Sequence, residues 1–272
     1  MASNLVPDYE VKVLLKPSEV LGSNNKLIDA VLSAFSIPSS TKKMNVQFVD
    51  TKKQDLYTKG WNLRIRKKEG GEEFELTYKK RYPIGDGDSS TAKGNIDAAL
   101  KTAEQDGFDS TTSRTFQAQV DVGYQKQTLS ISHDETISDT GFEAIDLPLA
   151  EESRKFLIDN APEKFKIWLA DNLGSDDLAD CVVYGPVLAK RSKGTWDVFK
   201  LSIEVWPIRK SKTDASLELI VEASFKTPDL EKALEGRAKL VEFLQKRGWF
   251  LAEDSLKTKL IMERYGEITV HI

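Results

Sequence analysis

The chain has 272 residues, 40% of them hydrophobic, and its 39 Lys and Arg against 43 Asp and Glu leave a formal charge of -4 at pH 7. That length accommodates one large domain or two ordinary ones around a substantial core, and the slight acidity argues against a nucleic-acid-binding surface formed by bulk charge. The one cysteine, Cys181, excludes an internal disulfide and a cysteine-rich zinc site, no apolar run approaches the roughly 20 residues of a membrane helix, and MASNLVPDYEVK has no signal-peptide core. A cytoplasmic chain without membrane or nucleic-acid partners is expected.

The first period-two segment is DYEVKVLLK (8–16), with Tyr9, Val11, Val13 and Leu15 on one side and Asp8, Glu10 and Lys12 on the other. NNKLIDAVLSAFSI (24–37) spaces Leu27, Ile28, Val31, Leu32 and Phe35 as a helical stripe that ends near Pro38. Alternation returns in KMNVQFVDT (43–51) and continues into WNLRIRKKEGGEEFELTYKKR (61–81), where Leu63 and Ile65 alternate with Arg64 and Arg66, and, after a Gly-Gly turn, Phe74, Leu76 and Tyr78 alternate with Glu75, Thr77, Lys79 and Arg81. A turn-rich loop, YPIGDGDSSTAKG (82–94), precedes a helix predicted over 95–104 that stops at Gly107. TFQAQVDVGYQKQTLSIS (115–132) opens a second strand block, with Gln117, Gln119 and Asp121 on its polar face and Gly123 as a turn or bulge. Residues 151–174 read as helix interrupted by Pro162. Three strands follow, CVVYGPVLAKR (181–191), VFKLSIEVWPI (198–208) and SLELIVEASFK (216–226), then two helices over 229–248 and 254–266. No internal repeat or clean linker divides the chain, so a single domain spanning 1–272 is expected, with a loop and helix insertion at about 83–113 and a helical insertion at about 142–180.

A strand with one apolar and one charged face usually belongs to an antiparallel sheet whose charged side is solvated, but charged positions recur here on strand after strand with several helices available to cover the apolar faces, which fits a closed barrel whose charged side lines a wet lumen. In the second arrangement Arg64, Arg66, Lys79 and Arg81 suit phosphate oxygens, Arg through its planar fork and Lys as a point charge. Asp8, Glu10, Glu204, Glu218 and Glu222 supply the hard oxygen ligands that magnesium or manganese prefers. Carboxylates beside guanidinium groups in one cavity fit metal-assisted phosphate chemistry.

These residues resemble a family. DYEVK is similar to the N-terminal E-x-E-x-K signature of the CYTH, or triphosphate tunnel metalloenzyme, superfamily, with Asp8 in the place of the first Glu and with Glu10 and Lys12 matching. The Asp-Thr start at Asp50, the L-R-x-R strand, the T-x-K strand, the AKR ending at Arg191, LSIEV with Glu204, LIVEAS with Glu222 and SLKTKLIMERY with Lys257 or Lys259 resemble its later blocks in order and spacing. A late E-x-E is replaced by Glu222 followed by Ser224. The resemblance implies an α+β fold, a single-domain antiparallel eight-stranded β-barrel forming a tunnel covered by helices. It implies that Lys12, Arg64, Arg66, Lys79, Arg191 and Lys259 hold phosphates, that Asp8, Glu10, Glu204 and Glu222 serve Mg2+ or Mn2+, and that Glu10 and Glu204 are the catalytic carboxylates. The activity implied is hydrolysis of inorganic triphosphate, a nucleoside triphosphate or thiamine triphosphate, in a mechanism where positioning and charge stabilisation dominate. A diphosphate-releasing cyclase or lyase, or a polyphosphate-binding module without turnover, would use the same cavity. The sequence leaves the oligomeric state open.

Other polar residues carry less. His133 and His271 have no motif partner and read as structural or surface residues, Cys181 reads as a small buried hydrophobe, and Trp196, Trp206 and Trp249 read as core or rim packing, with contact to substrate the alternative for Trp206, which shares a face with Glu204. GDGDSS (85–90) lacks the Gly and Glu offsets of a calcium loop and reads as a turn-rich connection.

Overall fold

The fold is that of a computed structural model that describes residues 5–38, 40–85, 92–108, 115–173, 181–254 and 257–266. His271 and most of the GDGDSS stretch lie outside the described residues. Strand β1 (Asp8–Leu15) leads through the short helices α1 (Pro17–Val20) and α2 (Asp29–Ala34) to β2 (Lys42–Asp50). Helix α3 (Asp55–Thr58) precedes the hairpin of β3 (Trp61–Lys68) and β4 (Glu73–Ile84), whose turn is made by Gly70 at φ +75, a conformation that costs glycine nothing. Helix α4 (Ala92–Gln105) crosses to a second hairpin, β5 (Gln117–Val122) and β6 (Gln127–Ser138). Helices α5 (Ala150–Asp159) and α6 (Glu163–Asn172) lead to the long strands β7 (Val182–Trp196), β8 (Phe199–Arg209) and β9 (Leu217–Thr227). Helix α7 (Leu230–Lys246), the two-residue strand β10 (Phe250–Leu251) and α8 (Lys257–Arg264) complete the described chain.

The strands form one sheet in the order β1-β5-β6-β4-β3-β2-β7-β8-β9, and β9 pairs back onto β1 from Tyr9↔Thr227 to Leu15↔Val221, closing a barrel. This corrects the expectation of an eight-stranded antiparallel barrel. The ring has nine strands, β10 lies outside it on β1, and β1 runs parallel to β5 with Asp8 beside Gln119 and Glu10 beside Asp121. The cause is that β1 shares one edge between two partners, β5 along its first half and β10 at Leu14 and Leu15. The chain reaches β5 through a helical crossover instead of a hairpin, which is what a parallel pair requires.

Apolar residues on the outer faces of the strands pack under the helices. Leu63, Ile65, Leu76 and Ile203 are buried in one cluster with Ile96 and Leu100 of α4, Leu157 of α5, Phe165 of α6, and Leu240 and Leu244 of α7. Each such side chain contributes roughly 1.5–3 kcal/mol by leaving water, so the covering helices are what make an apolar outer surface tolerable. Helix α7 comes close enough to the sheet that a Cβ on Gly236 would lie 2.8 Å from Phe225 and 2.9 Å from Phe199. No described helix is long and apolar enough to cross a membrane.

The inner face is divided. Val46 and Phe48 of β2 stand opposite Arg66 and Arg64 of β3, and they join Val187, Ala189, Trp206 and Ile208 in a second apolar cluster that receives Ile261, Met262 and Tyr265 from α8 and its C-terminal end. Helix α8 therefore docks on an apolar strip of the inner wall and leaves the rest of the wall polar. Of the sequence-predicted helices, residues 24–37 shorten to α2, because Leu27 forms an isolated bridge with Leu21.

Candidate functional site

Residues directly opposed across a pleated sheet share a face, so the register carries one polar surface around the lumen. Arg64 stands opposite Thr77, Lys79 opposite Ser132, Arg81 opposite Ser130, and Ser130 opposite Gln119. The circuit continues with Glu10 opposite Lys226, Glu222 opposite Glu204, and Glu204 opposite Arg191. A cavity of about 320 Å³ lies inside. Asp8, Glu10, Lys12, Arg64, Arg66, Lys79, Arg81, Arg191, Glu204 and Glu222 all line it, together with Lys226, Lys257 and Asp134. Eight cationic side chains thus face five acidic ones. A second cavity of about 270 Å³ adjoins the first, sharing Lys12, Arg81, Glu222 and Lys257 with it and adding Asp121, Lys126 and Lys259.

Three clusters organise the wall. On β1, β5 and β9, Lys12 Nζ lies 2.9 Å from Asp121 and 3.2 Å from Glu10, and Gln119 donates to Glu10 at 2.8 Å and to Asp121 at 2.7 Å. Burial opposes the charge of Asp121, but Lys12, Lys79 and Arg81 outweigh it and hold its carboxyl well below the usual range. Glu10 is likewise lowered, by Lys12 against its burial. Asp8 sits exposed at the rim, opposite Gln119.

On β3, β4 and β6, Arg64 donates to Thr77 Oγ1 at 2.7 Å, and Thr77 donates on to Asp134. Arg66 donates to Glu75 at 2.6 Å, and Lys68 also pairs with Glu75. Lys79 makes no ion pair among the described residues. Burial, then Lys12, Arg81 and Arg64, push its ammonium down to about 7 despite the opposing pull of Asp121. One lining residue keeps a donor unused: the buried Arg64 Nε has no hydrogen-bond partner among the described residues, and nor does the Oγ of the fully buried Ser130, which lines neither cavity. Buried donors are rarely left so.

On β7, β8, β9 and α8, Glu204 accepts from Arg191 Nε at 2.7 Å, Trp206 Nε1 at 2.8 Å and Lys257 Nζ at 2.7 Å. Lys257 also reaches Glu222 at 2.8 Å. Burial disfavours the Glu204 carboxylate, yet Lys257 and Arg191 hold it well below its ordinary range. Glu218 lines neither cavity; it is exposed and accepts from Arg264 at 2.6 Å. Lys259, expected from the resemblance at the phosphates, is placed elsewhere: half-exposed on α8, it lies 3.6 Å from Glu263 and borders only the second cavity. Lys257 takes the inward position.

The acids that the resemblance implies for metal are Asp8, Glu10, Glu204 and Glu222. They fall into the first and third clusters, each already in contact with lysine except the rim residue Asp8, and among the described residues no three Asp, Glu, His or Cys side chains converge on a point that could hold a metal. As arranged, this donor set does not fit a resident divalent cation.

Asp134, Lys226 and Trp206 were missed or read as packing. Alternation carries the signal for two of them: Asp134 continues the face of Ser130 and Ser132, and Lys226 that of Glu222 and Ser224. Trp206 continues the face of Glu204 but anchors it instead of merely packing. His133 bonds to the Thr115 carbonyl on the outer side, and Cys181 is buried.

No protein-family profile and no curated protein matches this sequence. Solved structures do match. A Hippeastrum protein described as an adenylyl cyclase candidate with a dominant triphosphatase activity superposes with a TM-score of 0.54 at 15% identity, covering 93% of this chain and 93% of that chain. A Bacillus halodurans protein described as an adenylate cyclase candidate superposes with a TM-score of 0.50 at 14% identity, covering 94% of this chain and 95% of that one. At these identities the likenesses show the fold: the chain shares the architecture of these two proteins, a closed barrel with a polar lumen, as the resemblance of its motifs leads one to expect.

Proposed function

We propose that the tunnel binds a triphosphate and that the protein is a phosphohydrolase acting on it, with inorganic triphosphate, a nucleoside triphosphate and thiamine triphosphate as the substrate class. The observation that carries this reading is the excess of cations lining one lumen, with Arg64 Nε unpartnered among the described residues. A chain of three phosphates supplies the negative charge and the acceptor oxygens that such a wall lacks. Arg64, Arg66, Lys79 and Arg81 on β3 and β4, with Lys12 and Arg191 across the lumen, would grip and orient the phosphates and stabilise charge as the terminal phosphoryl group leaves. Glu10 and Glu204 are the carboxylates available to orient water. Mg2+ or Mn2+ belongs to this reading as the counter-ion that a triphosphate carries in, part of the substrate. The activity named for the Hippeastrum protein supports the same reading.

The test is a product assay over inorganic triphosphate, ATP and thiamine triphosphate with Mg2+ or Mn2+. Orthophosphate release is expected. Diphosphate release would assign a cyclase or lyase instead, and binding with no product would leave a polyphosphate-binding module.

A further inference from the structure

Glu204 and Glu222 face each other across β8 and β9, with exposures of 4% and 2%. Like charges opposed in this way, away from solvent, destabilise a sheet unless neutralised. The neutralising charge comes from the chain itself. Lys257 Nζ lies between the two carboxylates, 2.7 Å from one and 2.8 Å from the other, while Arg191 holds the far oxygen of Glu204. Lys257 and Arg191 thus set two positive charges directly against the two carboxylates. The ammonium also lies 4.7 Å from the centre of the Trp206 ring, whose N–H fixes the same Glu204 oxygen. The placement is held from the rest of α8. Ile261 and Met262 are buried against the inner apolar strip, Gln54 donates to the Met262 carbonyl at 2.6 Å, and Arg264 donates to the Arg209 carbonyl at 2.9 Å.

We propose that Lys257 is a built-in substitute for a divalent cation at Glu204 and Glu222, so that this acid pair is closed to metal while α8 is docked and becomes a cation site only when the lysine charge is removed. The inference goes beyond the phosphohydrolase reading and does not rest on it, because it concerns the empty tunnel and predicts metal binding without any phosphate.

The experiment is a Mn2+ titration of the full chain without phosphate, read by the electron paramagnetic resonance of free Mn2+ and by melting temperature. Wild type, Lys257→Met, Lys257→Arg and the double variant Lys257→Met with Glu222→Gln are compared. Lys257→Met should bind one Mn2+ at least tenfold more tightly than wild type and melt higher with Mn2+ than without it. Lys257→Arg, which keeps the charge, should behave as wild type, and the double variant should lose the gain. If Lys257→Met does not fold alone, Mn2+ at a few millimolar should restore its folding. Wild type binding Mn2+ as tightly as Lys257→Met, a gain that survives Glu222→Gln, or a Lys257→Met chain that gains neither binding nor folding from Mn2+ would each overturn the proposal.

Discussion

Replacing Lys79 by arginine should abolish a proton uptake that accompanies triphosphate binding. Lys79 stands among Lys12, Arg81 and Arg64 with no ion pair among the described residues, and burial with that repulsion pushes its ammonium down to about 7. A bound polyanion reverses the repulsion and restores a pKa near the ordinary lysine value of about 10.4. Free protein at pH 7 is then about half protonated at this site and at pH 8 about one-tenth, so binding draws in about 0.5 and about 0.9 proton respectively. Affinity should fall about tenfold between pH 6 and pH 8, since only the protonated form binds fully. Arginine stays charged throughout, so Lys79→Arg should show neither effect, and subtracting its uptake removes the ligand's own protonation. The measurement is isothermal titration with inorganic triphosphate in two buffers of different ionisation enthalpy. The sign for the fold runs the other way: a lysine lowered in the native state means that the unfolded chain binds more protons between about 7 and 10.4, so stability of the empty protein rises across that window. Equal proton uptake by wild type and Lys79→Arg at pH 8 would refute the placement of an uncompensated ammonium in the lumen.

Inorganic triphosphate at 100 times its dissociation constant should stabilise the fold by about 2.7 kcal/mol, seen as a higher melting temperature, and no shift at millimolar ligand would count against the tunnel. Arg66→Ala should weaken triphosphate binding by about 1.5–3 kcal/mol in titration while leaving the fold intact, since Glu75 keeps Lys68 as a partner. Acid should unfold the protein early: Asp121, Glu10 and Glu204 are all held below their ordinary values, so the stability they contribute is present above about pH 4.5 and lost as pH falls below it. A denaturant midpoint that stays flat from pH 6 to pH 3 would contradict those pairings. Ile65→Ala, on the outer face at 0% exposure, should cost about 2–5 kcal/mol in chemical denaturation, whereas a change of less than 1 kcal/mol would place Ile65 outside the core.

The faces of the strands were legible because the signal is local. Alternation at Leu63 to Arg66 or Phe74 to Lys79 depends only on neighbours, and the structure keeps every one of those side assignments. Closure was not legible in the same way. The pairs that make nine strands instead of eight, β1 with β9 and β1 with β5, join residues more than a hundred positions apart, and no local pattern records which half of the β1 edge goes to which partner. The acid clusters depend on that closure, since Asp121 meets Lys12 only because β5 lies parallel to β1.

The choice between Lys257 and Lys259 shows where the sequence held an answer that the resemblance alone did not extract. On a helix, residues four apart share a face and residues two apart point to nearly opposite sides. The partner four positions beyond Lys257 is Ile261, and the partner beyond Lys259 is Glu263. An apolar residue at 0% exposure fixes the buried side of α8, so Lys257 must enter the barrel with Ile261 while Lys259 turns outward to Glu263. Helical period selects the lysine, and the opposed pair Glu204 and Glu222, predictable from the alternation of β8 and β9 once they are neighbours, supplies the charge that requires it.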